Sequence, residues 1–253
     1  MSRLKGKVVA ITGGGSGMGL ASAKLFVKEA AKVAIIDYRD EKSLDKAVKQ
    51  LVKAGAKKGQ LFCHRADVGD ERAVKAAFAA VKKALGPVDV LVNAAGIDTT
   101  SEVADMSTKL WDDMIRINLR GTFLCTREVL ADMKKKKWGR IINFASQLAH
   151  KGAPEMAHYV ASKSGVIGFT RSLAYEVAKD NITVNAICPG PIVTPLLMSI
   201  PRPWLNRKQK ELPIGRFGEV EEVAPTVLML ALDPDGNYYI GATLNMNGGD
   251  VMV

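Results

Sequence analysis

A short β-branched run, Lys7-Val8-Val9-Ala10-Ile11-Thr12, passes without a break into Gly13-Gly14-Gly15-Ser16-Gly17-Met18-Gly19, and then into a helical pattern over residues 20–27. No other stretch restricts the fold as tightly. The apolar run reads as a buried strand. The glycines let the backbone turn sharply, and the helix start presents free N–H groups and a partial positive charge. Strand, glycine loop and helix in this order form a cradle for a phosphate. The spacing Gly13-x-x-x-Gly17-x-Gly19 differs from the G-x-G-x-x-G pattern, and a flexible turn would also be rich in glycine. The flanking elements favour the cradle.

The same rhythm continues. Strands are predicted over residues 32–36, 59–63, 88–92, 140–145, 182–187 and 242–246, and helices over 41–54, 71–85 and 219–232. A long helical stretch is predicted over 107–136, and another helix opens at Tyr159. Alternating β and α elements predict a parallel sheet with helices on both faces, which binds ligands at the carboxyl ends of its strands. Gly13–Gly19, Asp37, Asp67 with Val68, and Asn93-Ala94-Ala95-Gly96 all fall at such ends and should share one rim. The pattern breaks down after residue 194. Pro201, Pro203 and Pro213 there accompany apolar Leu196, Leu197, Met198 and Trp204 and basic Arg202, Arg207, Lys208 and Lys210. So irregular a stretch predicts a substrate lid over about residues 191–213. No repeat or linker divides the chain, so residues 1–253 read as one domain.

Composition narrows the function classes. The net charge is +10, but the lysines are dispersed apart from the run at 134–137, aromatic residues make up only 6%, and no nucleic-acid-binding motif occurs. No apolar run is long enough to span a membrane. Cys63, Cys125 and Cys188 are odd in number and far apart, which predicts reduced thiols in a cytoplasmic protein. They and His64, His150 and His158 show no metal-ligand spacing.

The second strand ends at Asp37, 18 residues beyond Gly19. A carboxylate there accepts from a ribose 2′-OH and repels a 2′-phosphate, which favours NAD over NADP. Arg39 weakens that preference, since a guanidinium can pair with a phosphate. Ser16 sits in the loop where a basic residue would strengthen the NADP reading. Asn118, inside a predicted helix, needs polar partners if buried. Tyr159 and Lys163 lie one helical turn apart on one face. A phenol is a poor base at neutral pH, and a neighbouring cation lowers its pKa. Taken alone, Tyr-x-x-x-Lys reads as an amphipathic helix with a snorkelling lysine.

The ordered set reverses that judgement. Thr12-Gly13-x-x-x-Gly17-x-Gly19, Asp67-Val68, Asn93-Ala94-Ala95-Gly96, Asn118, Ser146, Tyr159-x-x-x-Lys163 and Pro189-Gly190 followed by Thr194 resemble the short-chain dehydrogenase/reductase family from about Lys5 to Gly249. Ala94 stands where many members have a second Asn. The resemblance implies a Rossmann-like doubly wound fold with a seven-stranded parallel sheet, no metal, and hydride transfer between a dinucleotide and a small alcohol or ketone. Tyr159 would be the general acid/base, with Lys163 lowering its pKa and holding the nicotinamide ribose. Ser146 would hold the substrate oxygen, and Asn118 would anchor a relay water. Gly13, Ser16, Gly17, Met18 and Gly19 would cradle the pyrophosphate. Asp67 and Val68 would contact the adenine, Asn93, Ala94 and Gly96 would border the adenosine ribose, and Pro189, Gly190, Ile192 and Thr194 would position the nicotinamide.

Residues 241–249 resemble the 3-oxoacyl carrier-protein reductases of that family, which mostly use NADPH and lack an acid at the Asp37 position. Asp37 therefore points to an NAD-linked secondary alcohol or 3-hydroxyacyl dehydrogenase. The alternatives are an NADPH-linked 3-oxoacyl reductase, whose phosphate-bearing substrates would suit the basic residues, and a catalytically silent nucleotide-binding protein. Family likeness further implies a homotetramer. Gln147, His150, Ala153, Met156 and Asp98 are expected to line the substrate pocket with the lid.

Overall fold

The computed structural model describes residues 2–200 and 202–253. The chain alternates strand and helix: β1 (Val8–Thr12), α1 (Gly17–Lys28), β2 (Lys32–Asp37), α2 (Glu41–Lys53), β3 (Leu61–Arg65), α3 (Glu71–Leu85) and β4 (Val90–Asn93). Then come α4 (Thr108–Met114), a π-helical turn (Ile115–Arg120), α5 (Gly121–Lys136), β5 (Gly139–Phe144), α6 (Leu148–Lys151) and α7 (Ala157–Val177). The chain closes with β6 (Ile182–Pro189), α8 (Arg202–Glu211), α9 (Val220–Ala231) and β7 (Thr243–Met246). Seven strands form one parallel sheet in the order β3-β2-β1-β4-β5-β6-β7, the doubly wound Rossmann-like arrangement. The order reverses beside β1, so a crevice opens between the carboxyl ends of β1 and β4.

Period-two alternation divides the apolar residues between two cores. Val9, Ile11, Val33 and Ile35 face one layer with Phe26, Leu51, Val227 and Leu230. Val8, Ala10, Ala34 and Ile36 face the other with Phe78, Val81, Leu124 and Val177. Both faces of β1 are buried, so its sequence is continuously apolar rather than alternating. Burying a side chain such as Phe26 contributes roughly 1.5–3 kcal/mol. Asp70 caps α3 as its sequence predicts, accepting from Arg72 N and Ala73 N. Among the described residues no helix is long and apolar enough to cross a membrane.

Two expectations need correction. The stretch predicted as one helix over 107–136 is interrupted by the π-turn that contains Asn118, and π-turns collect at functional sites. The stretch predicted to be irregular contains α8. Pro203 lies in its first turn, where the missing N–H costs nothing. Leu205 is its one buried residue, so no apolar stripe advertised it. Pro201, named with this stretch, lies outside the described residues.

Candidate active site

The loop after β1 is built on close approach. Gly13 has φ +66°, and a Cβ there would lie 2.8 Å from the Ala95 backbone. A Cβ on Gly19 would collide with the Gly13 carbonyl. A side chain at either position would push the loop off the β4 end and out of the crevice. Ser16 caps α1 without a side-chain hydrogen bond, which leaves the first-turn N–H groups of that helix to face the crevice. Glycines pressed against the sheet, a helix start open to an anion and a carboxylate at the next strand end suit a dinucleotide.

That carboxylate is Asp37, which is buried. Its Oδ2 accepts from Gly15 N at 2.9 Å, and its Oδ1 accepts from Arg39 N at 3.2 Å. Arg39 Nε lies 3.7 Å from Oδ1. At the β3 end, Asp67 accepts from Gly69 N at 2.8 Å and pairs with Arg116 at 2.7 Å, while buried Val68 packs against Gly121. Thr194 packs on Gly17, and its hydroxyl accepts from Leu197 N at 3.2 Å. Gly190 packs on Asn247, Pro189 O accepts from Gln147 N, and Ile192 is buried beside Gly218. Partly buried Met18 packs on the core cluster beneath α1.

The Asn93 side chain, expected to border a ribose, turns into the fold. Its Nδ2 donates to Thr126 Oγ1 at 3.1 Å and Asn143 Oδ1 at 2.9 Å, and Asn143 donates in turn to Thr170 at 2.9 Å. The side chain therefore stitches β4 and β5 to α5 and α7, and only the backbone of Asn93–Gly96 reaches the rim. The Asn93 Nδ2 is thus satisfied inside the fold, while its buried Oδ1 has no partner among the described residues.

Asn118, Lys163, Ser146 and Tyr159 converge at the same rim. A Cβ on Gly96 would lie 3.2 Å from Asn118 Oδ1 and 3.5 Å from Lys163 Nζ. Asn118 clamps Ile97 from both sides, accepting from its N–H at 2.9 Å and donating to its carbonyl at 3.0 Å. It also donates to Ser162 Oγ at 3.2 Å, and its own carbonyl accepts from the Thr122 hydroxyl at 2.8 Å. Lys163 is buried and donates to Phe144 O at 2.8 Å. Burial pushes its pKa down to about 8. Tyr159 is half-buried. Desolvation raises its pKa above the usual phenol value, a hydrogen bond with Ser146 pulls it partly back, and Asp98 and Cys188 push it further up. Burial rather than Lys163 governs the Tyr159 hydroxyl here: the ammonium donates to Phe144 and lies 5.8 Å from the ring centroid.

The segment expected to form a lid is tied down through Asp250, which its sequence did not single out. Asp250 accepts from Lys151 Nζ and from Lys208 Nζ, each at 2.8 Å, and from Gln147 Nε2. The C-terminal tail thus joins α8 to the segment that follows Ser146. Nothing in the local sequence marks this, since about 100 residues separate Asp250 from two of its partners. Of the lid cations, Arg202, Arg207 and Lys210 are exposed, and Lys208 turns inward.

A family model described as short chain dehydrogenase matches residues 7–203. The chain is 39% identical to a 3-oxoacyl acyl-carrier-protein reductase of Thermotoga maritima over 250 residues, covering 99% of this chain and 100% of the relative. Among solved structures, levodione reductase superposes with a TM-score of 0.92 at 31% identity, covering 98% of each chain. A variant of the actinorhodin polyketide ketoreductase, crystallised with NADPH, gives 0.91 at 36% identity over 96% of this chain and 97% of the other.

Proposed function

The chain belongs to the short-chain dehydrogenase family, as an oxidoreductase acting on CH–OH and ketone groups, and from that premise we propose that it interconverts a secondary alcohol and its ketone with NAD(H). The observation that carries the reading is the meeting of Tyr159, Ser146, Lys163 and Asn118 at the rim that Gly13–Gly19 and Asp37 also occupy.

Bound nicotinamide dinucleotide would supply or accept the hydride; the chain manages one proton and holds the substrate. Ser146 and Tyr159 donate to the substrate oxygen and stabilise its developing charge. Tyr159 gives its proton to that oxygen in reduction and takes it in oxidation. Lys163, itself buried, holds a positive charge that favours the phenolate whenever the two groups approach. Asn118 fixes the loop at Ile97, and so the floor on which the substrate rests. Gly13–Gly19 and the α1 start would hold the pyrophosphate, and Asp37 an adenosine ribose that carries a free 2′-OH.

A second reading, an NADPH-linked 3-oxoacyl reductase, is favoured by Arg39 beside Asp37 and by the Thermotoga maritima relative. The homotetramer is part of our proposal too; exposed Phe123 and Tyr175 on α5 and α7 are surfaces such an assembly would cover. Hydride transfer to or from NAD(H) and NADP(H) should be followed over a panel of alcohols and ketones. Tyr159→Phe is expected to lower kcat/KM by about 10²–10⁴-fold. A Tyr159→Phe enzyme that kept most of its activity would overturn the assignment.

A further inference from the structure

Asp98, next to the clamped Ile97, is a half-buried carboxylate that accepts no hydrogen bond and joins no ion pair among the described residues. Other shielded carboxylates of the molecule are satisfied. Asp37 has Gly15 N, Asp89 has Val8 N and Lys136, Asp180 has Lys137, and Asp250 has three donors. The oxygens of Asp98 are not sealed inside the protein, so the carboxylate is open to accept a hydrogen bond from a ligand that enters beside it.

Its position is fixed on both sides. The preceding residue, Ile97, is clamped by Asn118 through two hydrogen bonds. In the following residue, Thr99 Oγ1 shares a 2.8 Å hydrogen bond with His158 Nε2. His158 is fully buried, and its Nδ1 has no partner. The Asp98 carboxylate acts electrostatically on Tyr159, Lys163 and His158, in keeping with the place that the clamped Ile97 and the Thr99–His158 bond give it. Burial pushes its own pKa up, while His158 and Lys163 oppose that rise.

We propose that Asp98 is a specificity-determining residue that accepts a hydrogen bond from a second, neutral hydroxyl of the substrate near the reacting carbon, so that the enzyme selects diols and hydroxyketones. The inference rests on the alcohol–ketone reading above. A substrate carboxylate at this point meets like charge. A substrate ammonium meets the Lys163 ammonium. A hydroxyl satisfies Asp98 at no cost in charge, and its oxygen can in turn accept from a neighbouring donor.

The test compares matched pairs with the intact enzyme and both dinucleotides: cyclohexane-1,2-diol against cyclohexanol, butane-2,3-diol against butan-2-ol, and 3-aminobutan-2-ol as the cationic counterpart. The wild type should prefer at least one diol over its mono-alcohol in kcat/KM by about tenfold to a hundredfold, as one hydrogen bond to a charged group allows. Asp98→Ala should collapse that ratio toward unity, and Asp98→Asn, whose amide oxygen still accepts but carries no charge, should lower it severalfold. The wild-type ratio needs no variant, so a folding defect cannot mask the answer. Equal ratios in the wild type and both variants would overturn the inference and leave the alcohol–ketone activity standing. An Asp98-dependent preference for the amino alcohol would overturn the neutral-hydroxyl assignment. Absence of turnover on every alcohol and ketone would remove the parent reading, and this one with it.

Discussion

The carboxylate of Asp37 accepts the Gly15 backbone N–H at 2.9 Å, so the end of β2 holds the glycine loop by one of its own amides. The same carboxylate has Arg39 Nε at 3.7 Å. One side chain thus braces the loop and restrains a guanidinium, and on the proposed NAD reading its charge would also repel a 2′-phosphate. In Asp37→Ser the repulsion and the restraint both disappear. Affinity for NADH is expected to fall about tenfold while that for NADPH rises, read by fluorescence titration of each. Wild-type binding that is already tighter for NADPH would defeat the NAD assignment.

Lys163 is held near pKa 8 by burial, well below a free lysine at 10.5. Between those values the unfolded chain binds a proton that the folded chain does not, so this group makes stability rise with pH. Lys163→Met removes the effect together with the ammonium. The stability of the wild type relative to the variant should therefore climb between about pH 8 and 10.5, by on the order of 1 kcal/mol per pH unit. Urea unfolding of both proteins across that range checks it, and a flat difference would refute the buried-ammonium account.

The Asp250 latch predicts coupling between the tail and the lid. Burial alone would raise the Asp250 pKa, but hydrogen bonds from Lys151, Lys208 and Gln147 together hold it below 3.8. Its contribution is therefore present above pH 3.8 and is lost only as the pH falls through the lower folded-state value. Asp250→Asn should destabilise the protein by about 1–3 kcal/mol. It should also raise KM and speed proteolytic cleavage within residues 195–213. Unchanged cleavage there would show that the lid is held by other contacts.

Much of the site was legible because its residues sit where local pattern changes. Gly13–Gly19, Asp37 and Ser146 each follow an apolar strand, and a parallel sheet brings strand ends to one rim whatever its loops do. Tyr159 and Lys163 share a face through helical spacing alone. The remainder was hidden for particular reasons. The π-turn at Asn118 has no compositional signature, since its residues are those of an ordinary helix. Asn93 is a strand-end residue by position, yet its amide turned inward once Thr126 and Asn143 offered partners. Helix α8 carries too few apolar residues for a period to be seen.

From its own order of residues the chain determined the alternation of strand and helix, the rim, and the chemical types gathered on it, because periodicity and glycine punctuation act over a few residues at a time. Tertiary structure alone decided that Lys163 faces Phe144, that Asp250 joins the tail to α8, and that Asp98 stands without a hydrogen-bond partner among the described residues. Each depends on which groups desolvation forces together across the fold, and no local pattern records that.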